Sequence, residues 1–248
     1  MRKIVKCIRQ IAELNVDLFN GLGLGVEIQD FTEPNLSEED KKDIIDNYIE
    51  VFKGFKGIKS MHGPFLDLKP SSPDLLIREI SYKRYLDTIN IARELDMDYL
   101  IYHSQINPYL NEPGLSKLNN LQAKEFWDKI LDETDFKGII LIENVFEEGP
   151  EMLRDYIDMV SRPNIRINLD IGHAKLGKAS LETWIKTLRD YIAYVHIHSN
   201  NGLYDQHVMP SPEEISALFE LLDKYRINPV LSLEYKIVDI EKEIIKYF

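Results

Sequence analysis

Seven short apolar runs, rich in β-branched residues, punctuate the chain: residues 23–31 (GLGVEIQDF), 57–65 (GIKSMHGPF), 98–104 (DYLIYHS), 138–146 (GIILIENVF), 165–174 (IRINLDIGHA), 191–199 (YIAYVHIHS) and 228–236 (NPVLSLEYK). Near-continuous apolar character, rather than strict alternation, predicts strands covered on both faces, as in parallel sheets. An eighth run, KIVKCI at 3–8, is the only candidate for a first strand and is expected to be short or degenerate.

Helical spacing fills the intervals. Ser37 opens SEED ahead of Ile44, Ile45, Tyr48, Ile49 and Phe52, and SSPD at 71–74 precedes Ile77, Ile80, Tyr85, Ile89, Ala92 and Leu95 on one face. Pro150 stands where a first helical turn tolerates proline, and SPEE at 211–214 is a capping box with Pro212 at the first position. These aliphatic and aromatic stripes read as core packing. One long loop is expected at 104–118, with Pro108, Pro113 and Gly114. GLGLG at 21–25 precedes a strand rather than following one, so it is a turn and not a dinucleotide-binding loop.

Strand and helix alternating about seven times predicts βα units around a parallel sheet. Right-handed crossovers close such units into an open doubly wound sheet or a barrel. The expectation is the barrel: one α/β domain over residues 1–248, a (β/α)8 TIM barrel. No Pro/Gly/Ser linker, internal repeat or low-complexity tract divides it.

Composition narrows the function classes. A net charge of −12 argues against a protein that coats nucleic acid or an anionic membrane, although bound divalent cations would offset part of it at one site. No run of about eighteen apolar residues is present and the basic N-terminus lacks a cleavage pattern, so neither a membrane span nor a signal peptide is expected. The single cysteine, Cys7, excludes an internal disulfide, suits a reducing cytoplasm, and lies in an apolar run where a buried inert thiol is expected. Nothing points to an obligate protein partner.

The chemistry lies at the strand ends. His62, His103, Glu143, Asp170, His196 and Glu234 end six successive runs; His173, Asp205 and His207 fall in the turns just beyond. In a parallel barrel those ends converge on one mouth, where active sites are built. A lone histidine at a strand end is usually a hydrogen-bonded structural residue, and a lone buried glutamate an ion-pair partner. Five imidazoles meeting four carboxylates is different, because buried carboxylates are costly unless paired or metal-bound. The set offers nitrogen and oxygen without thiolate, suiting Zn²⁺, Mn²⁺ or Fe²⁺. Nine ligands exceed the needs of one ion and could serve two or three through bridging carboxylates. His198 is expected to point to the opposite face from His196 and to stand outside the set.

Five motifs carry a family likeness: HGPF at 62–65, IENVF at 142–146, LDIGHA at 169–174, HIH at 196–198 and DQH at 205–207. Over residues 24–236 the chain resembles the xylose isomerase-like barrels, which include endonuclease IV and the sugar-phosphate isomerases and epimerases. In the epimerase branch the resemblance implies one divalent metal on Glu143, Asp170, His196 and Glu234, with Glu143 and Glu234 as the acid/base pair. In the endonuclease IV branch it implies three zinc ions. The first would lie on His62, His103 and Glu143, the second on Glu143, Asp170, His196 and Glu234, and the third on His173, Asp205 and His207. The Asp-x-His of DQH discriminates best, since a one-metal isomerase has no need of it. Two features depart from the nuclease pattern: the first strand lacks a histidine and a long DNA-gripping loop, and the seventh run continues HSNN, with Ser199 and Asn200.

Three functions follow. One is a metal-dependent phosphodiester or phosphoester hydrolase, acting at abasic sites in damaged DNA or on a small molecule, with Glu143, Glu234 and Asp170 at the reacting centre. Another is a sugar or sugar-phosphate isomerase or epimerase, in which Lys175, Lys178 or Lys236 could meet a phosphate, surface solvation being their ordinary role. The last is a catalytically silent metal-binding barrel. The full nine-residue set tips the sequence reading toward the hydrolase.

Overall fold

The computed structural model describes residues 2–247, in which all eight runs become parallel strands: β1 (Lys3–Ile8), β2 (Gly25–Ile28), β3 (Lys59–His62), β4 (Tyr99–His103), β5 (Ile139–Glu143), β6 (Ile165–Asp170), β7 (Ile192–Ile197) and β8 (Val230–Leu233). Each strand pairs with the next and β8 returns to β1, closing the (β/α)8 barrel. The first strand is not degenerate. It has six residues and hydrogen-bonds along both edges. Lys3 and Lys6 shorten its apolar signal, but Lys6 is only part-buried and sends Nζ to the Leu233 carbonyl at 3.2 Å, so the charge leaves the core along an aliphatic stem.

The helices are α1 (Val16–Leu22), α2 (Glu38–Phe52), α3 (Leu75–Glu94), α4 (Pro113–Thr134), α5 (Glu151–Val160), α6 (Ile171–Leu176), α7 (Leu181–Leu188), α8 (Pro212–Lys224) and α9 (Ile240–Ile244). Their starts follow side-chain chemistry. Ser37 caps α2 by accepting from Asp40 N at 3.0 Å, and Ser211 with Glu214 forms the capping box of α8. Gly23 closes α1 in the left-handed region at φ 67°, as the turn at GLGLG requires. Two expectations need correcting. Pro113 stands in the first turn of α4 behind the cap Glu112, which shortens the loop after β4 to 104–112. Ile77 and Ile80 near the start of α3 are exposed, while Tyr85, Ile89 and Ala92 further along the helix and Leu95 at its C-cap are buried.

Outward residues of the strands, such as Ile140, Ile142, Ile167, Leu169, Val195 and Ile197, meet the helices in the main core, with Trp127, Trp184 and Tyr85 filling the larger spaces. Each such side chain contributes roughly 1.5–3 kcal/mol by leaving water. Inside the barrel, Val5, Ile101, Leu141, Tyr194 and Val230 form a separate apolar floor. Side chains two apart along a strand share a face, so the residue two beyond each floor position points inward and nearer the mouth. That geometry turns Leu141 into Glu143, Ile101 into His103 and Tyr194 into His196. The β6–β7 register slips between Ile167 and Asn168, where β7 carries one extra residue, Ala193. The slip sets Tyr194 and His196 on the inward face opposite Asn168 and Asp170.

Candidate metal centre

All six imidazoles of the chain gather at the C-terminal mouth, together with Glu143, Asp170, Asp205 and Glu234. They fall into overlapping sets whose ligand atoms lie within 4.8 Å of one another: His62–His103–Glu143, Glu143–Asp170–His196, Asp170–His198–Glu234 and His173–His198–Asp205–His207. All nine residues picked from the sequence stand at this one mouth. His62, Glu143, Asp170 and His196 are buried, and Asp205 and His207 rim the opening.

Glu143 is the hinge of the arrangement. Its Oε2 lies 3.6 Å from His62 Nε2 and 3.3 Å from His196 Nδ1, while Oε1 lies 3.8 Å from His103 Nε2 and 3.3 Å from His173 Nδ1. Asn168 Nδ2 donates to Oε2 at 2.9 Å and fixes the carboxylate plane. Asn144, the next residue of IENVF, accepts from Asp170 N at 2.9 Å and donates to Asp170 O at 2.9 Å, locking the end of β6 against β5. Asp170 in turn caps α6 by accepting from His173 N at 2.7 Å. Gln29 Nε2, just beyond β2, donates to Glu234 Oε1 at 2.9 Å and orients it.

His198 does not face away from His196. Residues two apart share a strand face, and its Nε2 sits 2.9 Å from Asp170 Oδ2. Its ring stacks on His207 at 4.0 Å between centroids, nearly parallel. This also explains the glycine of LDIGHA: a Cβ on Gly172 would stand 2.1 Å from His198 Cε1, so only glycine leaves room for that ring. The outer wall is a loop, 199–208, pinned by mutual backbone hydrogen bonds between Ser199 and Val208 at 2.8 and 2.9 Å. Asp205 Oδ2 meets His207 Nε2 at 2.6 Å and His173 Nε2 at 3.3 Å.

Lys175 is taken up by this loop and is not free for a phosphate. Its Nζ donates to Ser199 Oγ, Asn200 O and Glu214 Oε1 at 3.0, 2.8 and 2.7 Å. Lys178 pairs with Glu148 at 2.7 Å, and Lys236 is exposed.

One layer below the mouth lies a buried polar tier that the sequence reading does not contain. It comprises Glu27, Ser60, Asn168 and Ser232, all fully buried. The available signal is Glu27 itself, a charged residue inside the four-residue strand GVEI. Cys7 sits beside it in register, buried, and burial pushes its thiol well up, as expected of an inert cysteine.

The charge balance of the mouth is unusual. Among the described residues, the ion-pair partners of Glu27, Glu143, Asp170, Asp205 and Glu234 are imidazoles rather than lysine or arginine. Burial opposes charge on His173, but Asp170, Asp205 and Glu143 outweigh it and push the pKa up to about 12. At His207 burial is likewise outweighed, by Asp205 and Glu234, giving about 9. Burial holds His103 down to about 3 despite Glu143, so its ring stays neutral and able to ligate. Burial would raise Glu143 and Asp170, yet the surrounding imidazoles keep both far below the usual carboxylate range.

The donor set fits divalent cations. Two buried atoms that face this cluster, His196 Nδ1 and Glu234 Oε2, have no hydrogen-bond partner although they stand 3.0 Å apart. A buried imidazole nitrogen and a buried carboxylate oxygen left without hydrogen-bond partners are costly, and a cation held between such atoms would remove the cost.

The chain is 29% identical over 193 residues to MJ1614, an uncharacterized protein of Methanocaldococcus jannaschii, covering 76% of this chain and 74% of that one. Among solved structures it superposes on the TTHB071 protein of Thermus thermophilus, soaked with ZnCl2. That match has a TM-score of 0.76 at 23% identity and covers 99% of this chain and 96% of the other. A D-tagatose 3-epimerase-like protein matches with a TM-score of 0.73 at 24% identity, over 99% and 96% of the two chains. At these identities the superpositions show a shared fold. The model of the xylose isomerase-like TIM barrel family matches residues 8–246, and this chain belongs to that family.

Proposed function

We propose that this barrel is a multinuclear divalent-metal hydrolase of phosphoesters. The observation that carries the reading is the outer set His173–His198–Asp205–His207, which stands beside the two sets joined by Glu143. Proton transfer between adjacent carbons needs one ion, whereas phosphoester cleavage gains from several. Bound there, divalent ions supply an activated water and charge neutralisation for the attacking and leaving oxygens.

The ions would be held by His62, His103 and Glu143; by Glu143, Asp170, His196 and Glu234; and by His173, Asp205 and His207, with His198 between the last two sets. The N/O donor chemistry suits Zn²⁺ first, then Mn²⁺ or Fe²⁺. The chain's own groups do the rest. Glu143 offers separate oxygens to imidazoles on two sides, and Asn168 keeps that carboxylate from rotating. Glu234, held by Gln29, faces a cavity of ≈450 Å³ lined by Arg9, Phe65, His62, His103 and His207. That volume suits a sugar-sized phosphoester. Arg9 at the rim could pair with a phosphate, while Lys175 and Lys178 are already paired. A small-molecule substrate is therefore favoured over damaged DNA. No helix among the described residues is long and apolar enough to cross a membrane, and the lone buried thiol suits a reducing cytoplasm.

The test is hydrolysis by zinc-loaded protein of bis(p-nitrophenyl) phosphate, a panel of sugar phosphates and an abasic oligonucleotide, before and after chelation. Chelator-sensitive release of product from any of them supports the reading; no release from all of them overturns it.

One observation favours the isomerase or epimerase reading. Glu143 at the end of β5 and Glu234 just beyond β8 both close on His196 Nδ1, at 3.3 and 3.0 Å, as two carboxylates flanking one point. Such a pair could pass a proton between adjacent carbons. Deuterium uptake from solvent into a ketose panel would mark that chemistry, and its absence would exclude those sugars.

A further inference from the structure

The buried tier beneath the mouth contains a carboxylate that none of the chemistry above uses. Glu27 lies on β2, fully buried. Its Oε2 receives three donors from the inward faces of β7 and β8: Tyr194 Oη at 2.8 Å, Ser232 Oγ at 2.9 Å and His196 Nε2 at 3.0 Å. Its Oε1 is buried with no hydrogen-bond partner. An ionised carboxylate only accepts hydrogen bonds, which requires the proton of His196 to sit on Nε2. The opposite nitrogen, Nδ1, then points at Glu234 Oε2, Glu143 Oε2 and Asp170 Oδ2 at 3.0, 3.3 and 3.6 Å, and those oxygens cannot donate to it.

We propose that Glu27 is a positioning residue for the metal centre: it fixes the protonation and rotation of His196 so that Nδ1 is presented to a cation among Glu143, Asp170 and Glu234. This rests on the metal-centre reading above. The layered barrel makes the contact possible. Cys7 and Ser60 flank Glu27 in register on β1 and β3, and the β7 register slip aims Tyr194 and His196 down the same axis. A carboxylate behind a ligating imidazole raises its basicity and fixes its orientation; loss of such a partner typically costs about 10–100-fold in metal affinity.

The experiment measures Zn²⁺ affinity by competition with a chromophoric chelator for wild type, Glu27→Gln, Glu27→Leu, His196→Ala and the Glu27→Leu/His196→Ala double variant. Long-range ¹H–¹⁵N spectra of the imidazoles accompany it, with and without Zn²⁺. Glu27→Leu is expected to weaken the tightest Zn²⁺ site by about 10–100-fold. The double variant should be no weaker than His196→Ala alone, because both changes remove one interaction. Glu27→Gln, whose amide oxygen still accepts from Nε2–H, should recover part of the affinity, and it keeps a polar side chain in the tier should the leucine variant fail to fold. In the spectra, an exchange-protected Nε2–H of His196 should appear in wild type and vanish in Glu27→Leu. Additive losses in the double variant, unchanged affinity in Glu27→Gln and Glu27→Leu, or a wild-type His196 without a proton on Nε2 would each overturn the proposal. Should wild type bind no divalent ion, the metal-centre reading and this role for Glu27 both fail. If wild type binds metal and only the coupling is missing, the failure is that of Glu27 alone.

Discussion

At the floor of the barrel, Val5, Ile101, Leu141, Tyr194 and Val230 close the interior with apolar side chains. Two residues further along the same strands stand His103, Glu143 and His196, ion-paired only among themselves and their neighbours. The strands and the burial are common to both ends, and the chemistry is opposite. The floor is apolar throughout, whereas the mouth gathers buried carboxylates whose ion-pair partners, among the described residues, are imidazoles. The difference teaches where the chain keeps its stability and where it gives stability up for binding. On the proposed reading, cations complete a mouth built this way.

The largest expected effect is at the mouth. Asp170→Ala removes an oxygen that faces His173, His196 and His198 at once. It should strip metal and lower any phosphoester turnover roughly a thousand-fold, the scale of several kcal/mol of charge stabilisation. Elemental analysis of the purified variant checks the first half and steady-state rates the second; unchanged metal content would refute the ligand assignment. The matching change at the floor, Leu141→Ala, should cost about 2–5 kcal/mol of unfolding free energy while metal content stays at the wild-type level, as read by denaturant titration and the same elemental analysis.

A pH titration sharpens the contrast. The folded pKa values of His173 and His207 are raised to about 12 and about 9. Their contribution to stability is therefore complete below about pH 6.5, the value for an unperturbed histidine, and drains away as pH climbs toward 9 and beyond. Metal-free protein should lose Tm across that window. Zinc-loaded protein should be nearly flat there, since cations replace the protons. Equal slopes for the two forms would break the comparison. The smallest effect is expected from Gly172→Ala, which forces the His198 ring to move. It should weaken the most loosely held ion by roughly tenfold and leave the tightest in place, a difference that stepwise chelator titration resolves.

Much of this is legible in the sequence. The strand runs, the caps at Ser37 and Ser211, the barrel and the meeting of nine acid and imidazole positions follow from hydrophobic pattern and from where parallel strands end. Less legible is everything that depends on what lies across the barrel. His198 stands outside the sequence-derived set, although i and i+2 alternation alone places it on the face of His196. Glu27 looks like an interruption of an apolar strand, because its partners Tyr194 and Ser232 are far along the chain and meet it only when β8 closes onto β1. The first strand looks degenerate because Lys3 and Lys6 mask its pattern. Lys175 looks available until its three acceptors are in place. Ile77 and Ile80 keep the helical spacing of the buried face yet stand exposed near the start of α3.

The central claim is that one mouth holds several cations, and the count of ions per chain tests it most directly. Protein purified without chelator, reconstituted with excess Zn²⁺ and freed of unbound metal, should carry about three ions per chain by elemental analysis. The Asp205→Ala/His207→Ala variant should then lose one of them, having lost the outer donor set. A wild-type ratio of one or less, unchanged in that variant, would contradict the account.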